Sequence, residues 1–391
     1  MNPVIENKVK ENNTLKFTLS GVNVSLANAL RRTIMSDIPI VVFKTTPYEE
    51  NNCNIITNTS RRFHNEIIKQ RLSCIPIHIT DLEMPLKNYI LEVDVENKTD
   101  SIVYVTTENF KIKNEIKGDY LSQDDVKKIF PPNDFTGYYI DFLRLMPRIS
   151  NELPGEKIHL TCKFDISTAK VDGMFNVVST CSYSYTVDEG AMMSELEIKK
   201  QFWKDQGYND EQISYEAQNW KLLDGLRITK LNSFDFIIET IGIYENEEII
   251  KKACSIIIEK LVNLNKALNS DDKSVIEIKE SENIMDNCYD IILHNEDYTI
   301  GKILEYVLYS KFFEELKTIK YCGFKKMHPH DSYSIIRVSY DESTEFNIIK
   351  NNLNYCTEEL VKVYIMISKS FDSNSGSSKY NSRKTNTKNL I

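Results

Sequence analysis

The residues best suited to chemistry are His328, His330 and Asp331, in the run HPHD. Two histidines two apart share one face of an extended segment, which is how a pair of imidazoles reaches one metal ion. No third and fourth ligand of matching pattern lies nearby in the chain, so the metal-dependent enzyme is the weaker reading of HPHD. The acidic clusters Asp124-Asp125 and Glu245-Glu247-Glu248 read as favourable charges near helix N-termini rather than as a general acid and base. Glycine-rich phosphate loops, G-x-S-x-G elbows, H-E-x-x-H motifs and closely spaced magnesium-binding aspartates do not occur. Catalysis by this chain alone is not expected. A different pair stands out: Arg31 and Arg32 sit mid-way along SLANALRRTIMSDIPI (Ser25 to Ile40), a segment otherwise built like a buried amphipathic helix. A guanidinium donates several hydrogen bonds in a planar fork, so such arginines can reach carboxylates or carbonyls of another chain. Solvation is the plainer alternative for both.

The elements that must position these residues belong to a chain of 391 residues, long enough for two or three domains or one core with a large insertion. Its 48 basic and 57 acidic residues give a net charge of −9, which argues against holding nucleic acid mainly by phosphate neutralisation. The 8 cysteines are scattered without a C-x-x-C pair, as buried reduced thiols of an intracellular protein would be. MNPVIENKVKENN lacks the apolar core of a signal peptide, and no apolar run approaches membrane-spanning length. The expectation is a soluble intracellular protein with no membrane contact.

An internal repeat organises the chain. KFTLSGVNVSLANALRRTI (Lys16 to Ile34) lies without a gap beside DIILHNEDYTIGKILEYVL (Asp290 to Leu308). Each copy reads as a short strand, a polar turn and a helix entered through a hydroxyl residue, Ser25 or Thr299, that can accept first-turn amide hydrogens. Leu26, Leu30, Ile34 and Ile38 form one stripe, and Ile300, Ile303, Leu304, Val307 and Leu308 form another. Ala27 and Gly301 sit where a small residue lets two helices approach closely. A second echo pairs SFDFIIETIG and its following helix with DSYSIIRVSYDE and its own. The fold class is therefore α+β, two related modules in tandem, the first interrupted.

The interruption spans 79–231, between 1–78 and 232–270 of the first module; the second module covers 271–370. IVYVTTENFKI, GEKIHLTCKFDI and FNVVSTCSYSYTV read as strands of a separate sheet in this mainly β insertion. MMSELEIKKQFWKDQGYNDEQISYEAQNW reads as helical, with capping-box spacing at Ser194/Glu197 and Asn209/Gln212. Trp203 and Trp220 read as packing anchors. Residues 371–391 have no apolar period and read as a disordered, solvated tail whose lysines and Arg383 can touch phosphates or an acidic partner.

Leu26-Ala27-Asn28-Ala29-Leu30-Arg31-Arg32, ending in Ile38-Pro39, resembles the signature of the bacterial α, archaeal D and eukaryotic third-largest subunits of DNA-dependent RNA polymerase. FHNEIIKQRLSCIPI (Phe63 to Ile77) is similar to the companion segment of that family. GEKIHLTCKFDISTAKVDGMFNVVSTCSYSY resembles its inserted sheet, and FDFIIETIGIYENEEII the return to its dimerisation module. NEDYTIGKIL and CGFKKMHPHDSYSIIRVS resemble instead the small partner, archaeal L or the eukaryotic eleventh subunit. Tyr298 stands where that partner usually has His, Lys302 where it has Asn, and Asp172-Gly173-Met174 where the third subunit commonly has His-Ala-Lys. The cysteine cluster that binds zinc or an iron–sulfur centre in some relatives is absent, so no metal or cofactor is carried over.

The resemblance implies α-subunit-like dimerisation modules fused into an intramolecular pseudo-heterodimer, as in large nucleocytoplasmic DNA viruses. It implies a non-catalytic assembly platform that docks the largest and second-largest polymerase subunits, with small subunits related to the eukaryotic tenth and twelfth on the same platform. Sequence-specific DNA contact is not expected. The site of action implied is the viral factory of an infected cytoplasm, with packaging in the virion; the nucleus is the alternative compartment. Module contact falls to Leu26, Leu30, Ile34, Ile300, Ile303, Leu304, Val307 and Leu308, with the long C-terminal helices adding a second contact. Docking falls to Asn28, Arg31, Arg32 and Arg71, with the two arginines pointing away from the apolar stripe. Asn28 can instead cap or bridge nearby backbone, and Arg71 can simply snorkel before a buried leucine. Glu305 replaces Arg31 in the second module, so the two faces differ. A free-standing dimerisation or adaptor protein of the same fold is the alternative.

Overall fold

The computed structural model describes residues 1–148, 150, 154–282 and 285–372. In chain order, β1 (Val4–Glu11) and β2 (Thr14–Ser20) lead into helix α1 (Val24–Ser36). Next come β3 (Ile40–Val42), β4 (Cys53–Asn58), α2 (Asn65–Ser73), β5 (Tyr89–Glu96), β6 (Val103–Thr106) and β7 (Lys111–Asn114). Helix α3 (Gln123–Ile129) precedes β8 (Asp141–Leu145), β9 (Lys157–Lys163), β10 (Asp165–Ser167) and β11 (Val178–Val187). A helical hairpin, α4 (Glu189–Asp205) and α5 (Asp210–Leu222), separates β11 from β12 (Thr229–Thr240) and the long α6 (Asn246–Ser270). The last elements are β13 (Ile276–Glu280), β14 (Cys288–His294), α7 (Tyr298–Leu308), β15 (Ile319–Lys325), β16 (Tyr333–Tyr340) and α8 (Phe346–Lys369).

These elements fall into two compact units. The first holds Met1–Thr33, Thr180–Glu239 and the described chain from Ile250 onward; the second holds Ile34–Ser179 and Thr240–Ile249.

Alternation of apolar and polar residues builds the two four-stranded sheets of the first unit, ordered β1-β2-β12-β11 and β13-β14-β16-β15. By position the orders are the same: an edge, the strand that feeds a short helix, the strand that feeds a long helix, an edge. In the first sheet Phe17 faces Phe236 across the antiparallel ladder, and their stacked rings lie 5.1 Å apart. In the second, Asp290 and Arg337 are directly opposed and joined by hydrogen bonds of 2.6 and 2.7 Å. Burial pushes the Asp290 carboxyl up, but the bonds and charge of Arg337 outweigh it and hold the group below the usual carboxylate range.

FNVVSTCSYSYTV does not join the insertion's sheet as the sequence suggests. Most of it forms β11, an edge of the first sheet, where the Ser233 hydroxyl donates to Thr186 Oγ1 at 2.9 Å and Thr186 donates to Asp235 Oδ1 at 3.0 Å. Tyr183 and Tyr185 pack on Phe234, with ring centroids 5.4 and 5.2 Å away. Alternation along a strand reports one buried face but not which sheet buries it, and these cross-strand partners lie about fifty positions away.

The second unit contains the sheet β4-β9-β5-β7 and the pairs β6-β8 and β10-β3. It begins earlier than an insertion at residue 79, because Phe43, Ile68, Leu72 and Ile77 share one buried core with Leu91 and Phe142. Phe110 meets Phe130 and Phe142 edge-on at 5.2 and 5.5 Å. The buried Glu156 accepts the backbone N–H groups of Arg61 and Met146, both at 2.9 Å, so a carboxylate pins two loops of this unit.

Several helix starts differ from the sequence reading. Asp297, not Thr299, caps α7, and its Oδ1 accepts the Thr299 N–H at 2.8 Å; Asn23 Oδ1 does the same for Ser25 N–H at 2.9 Å. Ser194 lies inside α4, which Asp188 caps, whereas Asn209 and Gln212 do form a capping box on α5. In each corrected case a carboxylate or amide takes the cap in place of a nearby hydroxyl. Gly301 also has a different partner from the one expected. A methyl group there would lie 1.9 Å from Cε2 of Phe324 on β15, so glycine makes room for an aromatic ring of the sheet rather than for a second helix. Gly301→Ala is expected to destabilise the protein by about 1–3 kcal/mol in urea denaturation, as overpacking does. The double variant with Phe324→Ala should lose less than the two singles summed, and an unchanged midpoint for Gly301→Ala would contradict the contact.

Candidate docking site and module contact

All eight residues expected at the module contact are buried: Leu26, Leu30 and Ile34 on α1, and Ile300, Ile303, Leu304, Val307 and Leu308 on α7. Amphipathic spacing puts each set on one side of its helix and leaves the polar residues to the other.

Arg32 does not point away from the second module. Its Nη2 donates to Asp297 Oδ2 at 2.9 Å and its Nε to Thr299 Oγ1 at 2.9 Å, so the guanidinium closes on the first turn of α7. The reason is geometric and electrostatic. Asp297 already sits at the positive end of the α7 dipole, and its second oxygen is left for a cation. The sequence reading missed Asp297 in this role, although an Asp two residues ahead of a hydroxyl at a helix start is a legible cap signal.

Arg31 lies half-buried on α1, and its Nε donates to Asn28 Oδ1 one helical turn away at 3.0 Å. Burial pushes the Cys181 thiol up to about 12, and the Arg31 charge opposes that rise, so the guanidinium lies close to β11. Asn28 thus holds an arginine of its own helix. Arg71 faces inward as well: Nε donates to Phe142 O and Nη2 to Asp141 O, each at 2.7 Å, which ties α2 to the start of β8. Of the four residues expected to dock a partner, the structure therefore draws Arg32 and Arg71 into the chain's own packing. Glu305, the counterpart of Arg31, accepts the Phe324 N–H at 3.0 Å and pairs with Lys302 at 2.5 Å.

The long helices of the first unit meet each other. Asn265 on α6 donates to Thr357 Oγ1 on α8 at 3.0 Å, Asn354 donates to Asn269 Oδ1 at 3.1 Å, and Lys350 pairs with Asp271 just past α6. The fully buried Tyr364 on α8 donates its hydroxyl to the Leu26 carbonyl at 3.1 Å, joining α8 to α1. Phe371 is buried against Phe17, with centroids 5.1 Å apart, and Lys251 pairs with Asp372 at 2.9 Å. The expected tail thus begins with a buried residue, Phe371, and an exposed but ion-paired one, Asp372; its remainder, 373–391, lies outside the described residues.

The rings of His328 and His330 lie 5.1 Å apart, and among the described residues no group of three or more His, Cys, Asp or Glu is arranged to hold a metal ion. His328 Nδ1 accepts the His330 N–H at 3.2 Å, and Asp331 accepts the His328 N–H at 3.0 Å, so HPHD closes a turn on itself. Cysteines 53 and 162 face each other at paired positions of β4 and β9 as free thiols. No helix among the described residues is long and apolar enough to cross a membrane.

Two sheets, each feeding a short and a long helix with a buried apolar stripe, and side-chain pairs from one helix to the next define an α+β protein of paired sheet-and-helix units. The RNA polymerase Rpb3/Rpb11 dimerisation domain matches residues 16–261, more than half of the chain, and the chain belongs to that family. It is similar to the DNA-directed RNA polymerase subunit Rpo3 of Pyrococcus furiosus, 32% identical over 128 residues, which are 31% of this chain and 41% of that one. The Rpo3 of Thermoplasma volcanium is 26% identical over 271 residues, 63% of this chain and 92% of its own length. The DNA-directed RNA polymerases I and III subunit rpac1 of Dictyostelium discoideum is 25% identical over 297 residues, 66% of this chain and 79% of its own. The chain spans about two fifths of the length of the Pyrococcus relatives it matches, 41% and 42%.

Two substitutions test the geometry. In a double-mutant cycle of Arg32→Ala and Asp297→Ala, a coupling of about 1 kcal/mol is expected, modest because the pair is partly exposed; additive losses would show that the two side chains do not interact. Arg71→Ala leaves two carbonyls without their donor and is expected to cost about 2–3 kcal/mol in chemical denaturation. An effect within about 0.5 kcal/mol would place Arg71 among ordinary surface residues.

Proposed function

We propose that this chain is a non-catalytic assembly subunit of a multisubunit DNA-dependent RNA polymerase. Two dimerisation modules in tandem form an intramolecular pseudo-heterodimer, and the largest and second-largest subunits dock on it. The observation that carries this reading is the closure of Arg32 on Asp297 and Thr299, a helix-to-helix contact made inside one chain of the dimerisation-domain family. Joining the modules covalently gives an effective concentration of about millimolar, so the pair forms without a partner-concentration threshold.

In this reading Asn28 and Arg31 meet the second-largest subunit, and the face that carries Glu305 meets the largest. Arg71 acts indirectly, by holding residues 141–142 in place. Small subunits related to the eukaryotic tenth and twelfth sit on the same platform, and the chain itself carries no cofactor. The fused arrangement favours a large nucleocytoplasmic DNA virus as the setting, with action in the viral factory and packaging in the virion.

The test is affinity purification of the tagged chain from its native source, wild type beside Arg31→Glu, with identification of everything retained. Wild type is expected to bring down both large subunits, and Arg31→Glu to lose most of the second-largest while keeping its circular dichroism. Recovery of the wild type without them in mild salt would overturn the polymerase reading in favour of a free-standing adaptor.

A further inference from the structure

We propose that the groove between α4 and α5 docks a basic segment of another polymerase subunit, one that carries a bulky apolar side chain next to a lysine or arginine. This inference rests on the assembly reading above and adds a surface that the module contact does not use.

The hairpin leaves the first sheet after β11 and returns at β12, closed at its base by the Asp188 N–H donating to Ile228 O at 2.9 Å. Its own core is small: Leu196, Ala217 and Trp220 are buried, with Met192, Trp203 and Ile228 packed against them. Much of its apolar surface faces outward instead. Ile198 is 63% exposed, Phe202 53%, Leu222 73%, Leu223 61% and Leu226 53%. Ile198 and Phe202 lie one turn apart on α4, and Leu222, Leu223 and Leu226 cluster at the end of α5, so these side chains are grouped rather than scattered. Grouped apolar exposure with a polar rim marks a contact surface.

Between the helices lies a groove of about 250 Å³, lined by Phe202, Trp203, Trp220 and Leu223, with Asn219, the carboxylates Glu216 and Asp224, and one cation, Lys199, completing the lining, so acidic groups outnumber basic ones there. That is room for one large side chain, and aromatic residues around a pocket are the usual anchor points of an interface. The charge selects the occupant. From Asp188 to Asp224 the hairpin carries nine carboxylates against four lysines. Glu216 is half-buried and makes no ion pair among the described residues. Asp224 pairs at 3.2 Å with Arg227, a largely exposed side chain that an incoming cation can displace. An apolar anchor flanked by Lys or Arg satisfies both the floor and the rim.

The test places p-benzoylphenylalanine at position 202 of the tagged chain in its native source and irradiates the polymerase it retains. The expected result is an adduct with one other subunit, in a peptide that holds a bulky apolar residue within a few positions of Lys or Arg. Adding Glu216→Lys should reduce its yield about tenfold while both large subunits stay bound. Trp203 and Trp220 are the chain's only tryptophans, so unchanged emission of the purified variant shows that the hairpin is still folded. With both large subunits retained, the inference is overturned by no adduct, by an adduct with a second copy of this chain or its own tail, or by a yield indifferent to Glu216→Lys. If the large subunits are not retained at all, the assembly reading falls and takes this surface with it.

Discussion

One carboxylate sets the geometry on which the first unit depends. Asp297 satisfies an amide hydrogen that the first turn of α7 would otherwise leave open, and its other oxygen receives Arg32 from α1. A buried apolar stripe is non-directional and tolerates sliding by a turn. An arginine fork fixed to a helix cap does not, because both of its hydrogen bonds fail together when the register shifts. Tyr364 adds a second fixed point, since its buried hydroxyl has the Leu26 carbonyl as acceptor in an apolar setting where an unpaired phenol would be costly. Burial supplies the bulk of the free energy, and these few polar contacts choose the arrangement in which it is gained.

The second unit shows the same division of labour with different groups. Its phenylalanine cluster makes a core of ordinary kind, and the directional contacts come from charged side chains turned inward. Glu156 gathers two loop amides, and Arg71 gathers two consecutive carbonyls at the start of β8. Both residue types are common on surfaces. They tolerate partial burial here because each charge is met by backbone groups that need a partner themselves.

The repeat was legible because periodicity is local. Leu26 and Leu30, like Ile300 and Leu304, announce a helix and its buried side without reference to any other segment. The strand preceding each helix was legible for the same reason. The sheet to which β11 belongs was not, because its partners on β12 lie beyond the α4–α5 hairpin. The helix caps were misread where a hydroxyl and a carboxylate stood two or more residues apart, both plausible as acceptors, and backbone geometry decided between them. At Gly301 the expected approach of a second helix is instead an approach of Phe324, on a strand more than twenty residues later.

By itself, then, the sequence determined the α+β class, the two strand-and-helix echoes, the apolar stripes of α1 and α7, and the family signature around Arg31 and Arg32. Each is written in residues within a few turns or strand lengths of one another. Only the tertiary structure decided what those arginines touch. Arg31 donates to Asn28 one turn away on its own helix and lies near Cys181, whereas Arg32 finds a carboxylate 265 positions away, although the two are adjacent and chemically identical. Successive residues on a helix point about 100° apart, so neighbours in sequence face different surroundings, and which surroundings those are depends on how distant segments pack.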